Sequence, residues 1–134
     1  MANARVKWAG GTTFIGMDST NHSVVMSSPK EGIGMKPSEL LLVALAACSS
    51  YDVVTILEKK KFSLKKLEVE VNSEQEAEAP WTFTRIRLKY ALTADGLTQT
   101  EAEKAIALSE GKYCSVAATL KGKAEIEWEC VIEP

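Results

Sequence analysis

The sequence predicts an α+β fold in one domain, and three observations carry that prediction. The first third of the chain reads as short β-rich segments broken by turn residues. A long apolar run with helical spacing follows. The rest holds three segments with strict period-two alternation, with a second helical pattern between the last two. A chain of 134 residues is long enough for one domain with its own core, read here as residues 1–134.

The expected strands in the first third are Arg5–Trp8, Thr12–Met17 and Ser23–Ser27. Gly10-Gly11 and Asp18-Ser19-Thr20-Asn21 form the turns between them. The loop SSPKEGIGMK leads to a helix that starts at Pro37, where the missing N–H costs nothing. Glu39 near its start and Lys59, Lys60 and Lys61 near its end complement the helix dipole. Leu41, Leu45, Cys48, Asp52 and Thr55 share a face that is apolar at first and turns polar just past Cys48. Leu40, Leu42, Val43 and Ala47 make the first half apolar nearly all round. A monomer of this size cannot easily bury such a helix, so a dimer or a second central helix is expected.

Alternation then defines the sheet. Leu67, Val69 and Val71 oppose Lys66, Glu68 and Glu70. Ile86, Leu88, Tyr90 and Leu92 oppose Arg85, Arg87 and Lys89. Ala124, Ile126, Trp128, Cys130 and Ile132 oppose Glu125, Glu127 and Glu129. Opposite charges on neighbouring strands attract, so the basic strand belongs between the two acidic ones. The sheet is expected to be antiparallel. Between the last two strands, Thr98 or Thr100 caps a helix with Glu101 and Glu103 in its first turn and Ala105, Ile106 and Leu108 on its apolar face. Gly111 is expected to end it, and a short helix, Tyr113 to Leu120, begins around Cys114.

Composition narrows the function classes. A net charge of −2 lacks the electrostatic footprint for nucleic acid or an anionic membrane. The N-terminus MANARVKWAG has no apolar core of a signal peptide, and the run Leu40 to Cys48 falls short of the roughly 20 residues that cross a bilayer. A cytoplasmic protein is expected. Neither CxxC nor HExxH spacing occurs, nor a phosphate-binding glycine loop, so no metal and no cofactor are expected. The single histidine, His22, lies in a polar turn, which reads as an exposed turn residue better than as half of a Cys–His pair.

The three cysteines are an odd set for a disulfide framework. Strand phase puts Cys130 in the core beside Trp128 and Ile132, as a small hydrophobe. Cys48 is in the middle of its helix, where its own helix N-terminus gives it little help. It reads either as packing or, because of the polar turn after it, as a reactive thiol. Cys114 lies at the expected N-terminus of a short helix beside Lys112, which favours a thiolate, although a small residue at a tight contact reads equally well.

MKPSELLLVALAACSSYDVV, followed much later by EGKYCSVAATL, resembles the OsmC/Ohr family of osmotically inducible and organic hydroperoxide resistance proteins, closest to its small YhfA-like branch. The likeness runs through essentially the whole chain. It implies an intertwined homodimer with two central helices between sheets and active sites at the subunit interface. It also implies thiol peroxidase chemistry on small apolar hydroperoxides in oxidative stress defence. Cys48 matches the family's peroxidatic cysteine and Cys114 its resolving cysteine, with a dithiol as reductant. The chain departs from the better-known members at two positions. Thr12, not arginine, follows Gly10-Gly11. Ser38, not glutamate, follows Pro37, and Glu39 is about 100° further round the helix. Arg5, Lys36 and Lys112 are the alternative cations for Cys48. Asp52, one turn on, would oppose its ionisation. Two other readings stay open on the same fold: a binding protein holding an apolar ligand against Leu41, Leu45 and Tyr51, and a redox sensor.

Overall fold

The computed structural model describes residues 2–134, which fold as two compact units, one ending at Leu42 and the other running Val43–Pro134. The first unit is a three-stranded antiparallel sheet in the order β1 (Ala4–Trp8), β2 (Thr13–Asp18), β3 (Ser23–Ser27), each strand within a residue of expectation. Gly10 (φ 96°) and Gly11 (φ 52°) turn the chain between β1 and β2 in the left-handed region that side chains resist. The indole Nε1 of Trp8 donates to Gly11 O at 2.9 Å. At the next turn Asp18 Oδ1 accepts from the backbone N–H groups of Thr20 and His22 and from the Thr20 hydroxyl. His22 is exposed there, as a turn residue.

Helix α1 (Pro37–Lys59) begins in the first unit and continues through the second. Lys36 pairs with Glu39 at 3.0 Å across its first turn. Along its second-unit part the fully buried residues are Leu45, Ser49, Val53 and Leu57. That stripe is one residue, or about 100°, away from the expected Leu41–Leu45–Cys48–Asp52 face. Cys48 therefore flanks the buried stripe, and the polar residue at its centre is Ser49. Counter to the expectation from the Leu40–Cys48 run, α1 is long and apolar enough to cross a membrane by length and composition. Its buried stripe, and the hydrogen bond from Ser49 to Tyr90 of the sheet, fit a core helix instead.

The second sheet has the order β4 (Leu64–Gln75), β5 (Phe83–Ala94), β6 (Glu125–Ile132), so the basic strand is central, as charge required. Arg85 reaches Glu125 at 3.1 Å, and Arg87 reaches Glu127 at 3.3 Å and Glu74 at 3.5 Å. On the opposite face of β5, Ile86, Leu88, Tyr90 and Leu92 are buried. The sheet is not wholly antiparallel: β4 and β5 are, but β6 runs parallel to β5. Residues 95–124 form a helical crossover that returns the chain to the end of β5 where it started, and a parallel partner results.

That crossover holds α2 (Gln99–Leu108), a π-helical turn (Ser109–Tyr113) and α3 (Ser115–Leu120). Thr98 caps α2, its hydroxyl accepting from Glu101 N at 3.2 Å. Ala102, Ala105 and Ile106 are its buried face, whereas Leu108 points outward at 40 % exposure. Gly111 does not end the helix. The chain widens into the π turn and keeps helical bonding as far as Cys114 N–H, which donates to Ser109 O at 2.8 Å.

Candidate functional site

The two cysteines singled out from the sequence come together. Cys48 lies half-buried on α1, and Cys114 is buried at the N-cap of α3, its sulfur accepting from Ala117 N–H at 3.4 Å. The two thiols are close enough that each alters the proton affinity of the other. Ser115 Oγ is 4.0 Å from Cys48 Sγ.

Their acid–base characters are the reverse of what position along the chain suggests. Burial pushes the Cys48 thiol up, but the backbone N–H of Val116, the Cys114 thiol, and the hydroxyl and N–H of Ser115 together outweigh it and bring Cys48 below the ordinary thiol value. A mid-helix cysteine is thus served by the first N–H groups of a different helix. Cys114 is pushed up to about 11, first by burial, then by Cys48 and by the Glu110 carboxylate. Of the two readings of Cys114, the thiolate favoured by its helix N-terminus and Lys112 is therefore not what the structure supports. Its sulfur caps its own helix from a buried position, while the next N–H groups serve Cys48.

None of the three alternative cations is among the groups of this chain that lower Cys48. Arg5 reaches Met17 Sδ at 3.7 Å, Lys36 is paired with Glu39, and Lys112 lies over the Tyr113 ring at 5.4 Å. Thr12 bonds Ser28 Oγ at 2.6 Å and its N–H donates to Glu31. Asp52 faces Ser109, accepting its hydroxyl hydrogen at 2.9 Å.

A buried polar network backs the pair, and the sequence reading missed it. Ser49, next to Cys48, hydrogen-bonds the Tyr90 hydroxyl. Tyr90 OH donates to Glu110 Oε1 at 3.0 Å. Burial, helped by the Glu110 carboxylate, holds the Tyr90 phenol far above its ordinary value, so it keeps its proton and donates. Ser109 Oγ also approaches Ser49 O at 3.1 Å. Lys121 Nζ donates to Glu110 O at 2.6 Å. The available signals were faint: one hydroxyl within the apolar face of β5, and a glutamate four residues before a cysteine.

Cys130 is not a core residue. It is half-buried on edge strand β6, where Gln99 Nε2 donates to its sulfur at 3.3 Å and to its carbonyl at 3.0 Å. Burial and the Glu103 charge raise its thiol. An edge strand is covered on one side only, which strand phase cannot reveal. The expected apolar pocket also differs. A cavity of about 370 Å³ is lined by Tyr51, Ile56, Leu108 and Tyr113 with Asp52, Thr55, Lys59 and Lys60, whereas Leu45 is fully buried and does not line it.

Comparison with known proteins adds to this geometry. The family of OsmC-like proteins matches over residues 29–129. The chain is 38% identical over 123 residues to Protein YhfA of Escherichia coli strain K12, covering 92% of each. It is similar to the crystal structure of a hypothetical protein from Aquifex aeolicus VF5, with 27% identity and a TM-score of 0.84, covering 100% of this chain and 98% of that one. It shares its fold with the organic hydroperoxide resistance protein OsmC of Legionella pneumophila at 18% identity and a TM-score of 0.68, covering 97% and 96%.

Proposed function

The chain belongs to the OsmC-like protein family, and from that premise we propose that it is a thiol peroxidase in which Cys48 is the peroxidatic and Cys114 the resolving cysteine. The observation that carries this reading is the unequal pair: a half-buried thiol with lowered proton affinity beside a buried one raised to about 11. The thiolate is the nucleophile in such chemistry, and the resolving partner keeps its proton until it is needed.

In the first step the Cys48 thiolate attacks the terminal oxygen of a hydroperoxide. The O–O bond breaks, Cys48 becomes a sulfenic acid, and the alkoxide leaves and is protonated to the alcohol. In the second, the Cys114 sulfur attacks the sulfenic sulfur. An S–S bond forms, and hydroxide leaves with the Cys114 proton as water. A dithiol then reduces the disulfide by exchange and is itself oxidised. The balance is one hydroperoxide and one dithiol consumed, and one alcohol, one water and one disulfide released.

Organic hydroperoxides are the proposed substrate class, supported by the name of the Legionella relative and by the largely apolar cavity beside Tyr51 and Leu108. In this reading the protein is a cytoplasmic, single OsmC-like domain over residues 1–134, working as a homodimer. Exposed Val43, Tyr51 and Tyr113 supply the apolar surface that such a dimer would cover. Turnover of an organic hydroperoxide with a dithiol reductant, against a Cys48→Ser control, tests the activity.

One observation favours a second reading, redox sensing. The groups that lower Cys48 are neutral donors, which activate a thiolate less than a guanidinium would. Stoichiometric oxidation without dithiol-driven recycling would single out that reading.

A further inference from the structure

Glu110 is 6 % exposed, and its Oε2 has no hydrogen-bond partner among the described residues. A buried carboxylate oxygen without a partner is costly and is retained where the group has a task. Its other oxygen ends a chain of contacts with a clear geography. Ser49 follows Cys48 on α1; Ser49 bonds Tyr90; and Tyr90 donates to Glu110 Oε1 at 3.0 Å. Glu110 and Ser109 open the π turn that delivers Cys114, and Ser109 Oγ reaches back to Ser49 O and Asp52 Oδ2. The two cysteine-bearing segments are therefore tied together through their immediate neighbours.

We propose that Glu110 is a positioning residue for the cysteine pair: acting through Tyr90 and Ser49, it holds the π turn against α1 so that Cys114 is presented to Cys48. This rests on the pair functioning as proposed above. The π turn is the natural place for such a tether. Its wider winding lacks the regular bond pattern of an α-helix, so its geometry needs outside support. Tyr90, anchored in the centre of the buried face of β5, gives that support from a rigid element. The Glu110 charge, which also raises Cys114, helps keep that thiol protonated until resolution.

The test is the equilibrium between the protein's dithiol and disulfide forms in a dithiothreitol redox buffer, read by mass mapping. It measures the effective concentration of one thiol at the other without any peroxide. The unaltered protein should form the Cys48–Cys114 disulfide. Glu110→Ala and Tyr90→Phe should each lower its effective concentration about tenfold, the scale of one lost buried hydrogen-bonded link. Glu110→Gln keeps an acceptor for Tyr90 and should restore most of it, whereas Glu110→Met, of similar size but without that acceptor, should not; a merely space-filling role would predict restoration by both. Tyr90→Phe keeps the ring in the core, so the test survives if Glu110→Ala does not fold. Folded variants with the unaltered effective concentration would overturn the positioning role while leaving the peroxidase reading intact. No Cys48–Cys114 disulfide in the unaltered protein would remove both.

Discussion

Cys48 and Cys114 adjoin one another with opposed proton affinities, although neither helix position announces it. Cys48, in the middle of α1, lies beside the start of α3, with the Ser115 hydroxyl 4.0 Å from its sulfur, and the polar groups of Ser115 and Val116 lower its proton affinity. Cys114, the N-cap of α3, is buried and raised to about 11 by that burial, by its neighbour and by Glu110. One sulfur is prepared to be a thiolate and the other to remain a thiol.

Alkylation should follow that division. A lowered proton affinity means more thiolate at any pH below the ordinary value of 9.0, so the rate of Cys48 alkylation should reach half its maximum below pH 9. Cys114 should reach it near pH 11. Iodoacetamide labelling across a pH series, read by mass, gives both profiles. A Cys48 midpoint at or above 9 would contradict the donor geometry.

Substitution should separate the two cysteines by step. Cys48→Ser should lose peroxide consumption altogether. Cys114→Ser should still react once, but the sulfenic acid would accumulate and proceed to sulfinic acid on repeated exposure. Rapid-quench trapping with a sulfenic-acid reagent distinguishes them. Equal recycling by Cys114→Ser and the unaltered protein would assign resolution to another thiol.

Ser109→Ala should destabilise the protein by about 1–3 kcal/mol, because the partly buried Asp52 carboxylate loses its donor. Urea unfolding measures it. A change below about 0.5 kcal/mol, the ordinary range for surface positions, would mean that water serves Asp52 equally well.

The central basic strand allows an electrostatic test. Arg87→Glu places a carboxylate beside Glu127 and Glu74, where the arginine now lies 3.3 and 3.5 Å from them. The side chains are well exposed, so the cost should be about 1 kcal/mol and should shrink in high salt. Urea midpoints at two salt concentrations check this; a cost independent of salt would point to packing instead.

Tyr51→Glu tests the proposed assembly. Tyr51 is 73% exposed on α1 and charge there would oppose burial against a second copy. Sedimentation should show a dimer for the unaltered protein and a shift toward monomer for the variant.

Much of this was legible from residue types alone. Period-two alternation located β4, β5 and β6, and alternating charge ordered them, because cross-strand ion pairs act locally. Strand direction was not legible for β6. Charge order is the same for either direction, and only the path of the crossover decides. The phase of α1 was misread by one residue because its first half is apolar nearly all round, which leaves no polar face to set the phase. Cys48 and Cys114 stood out by motif. Their unequal affinities did not, because the N–H groups that serve Cys48 belong to residues 67 and 68 positions further along the chain. The Ser49–Tyr90–Glu110 network was hidden for the same reason: each member looks ordinary until the fold joins it to the others.

The central claim is tested most directly by mapping the thiols after brief exposure to an organic hydroperoxide. The account predicts a Cys48–Cys114 disulfide with Cys130 still a thiol. Cys48 remaining a thiol under conditions that oxidise a free cysteine control would contradict it.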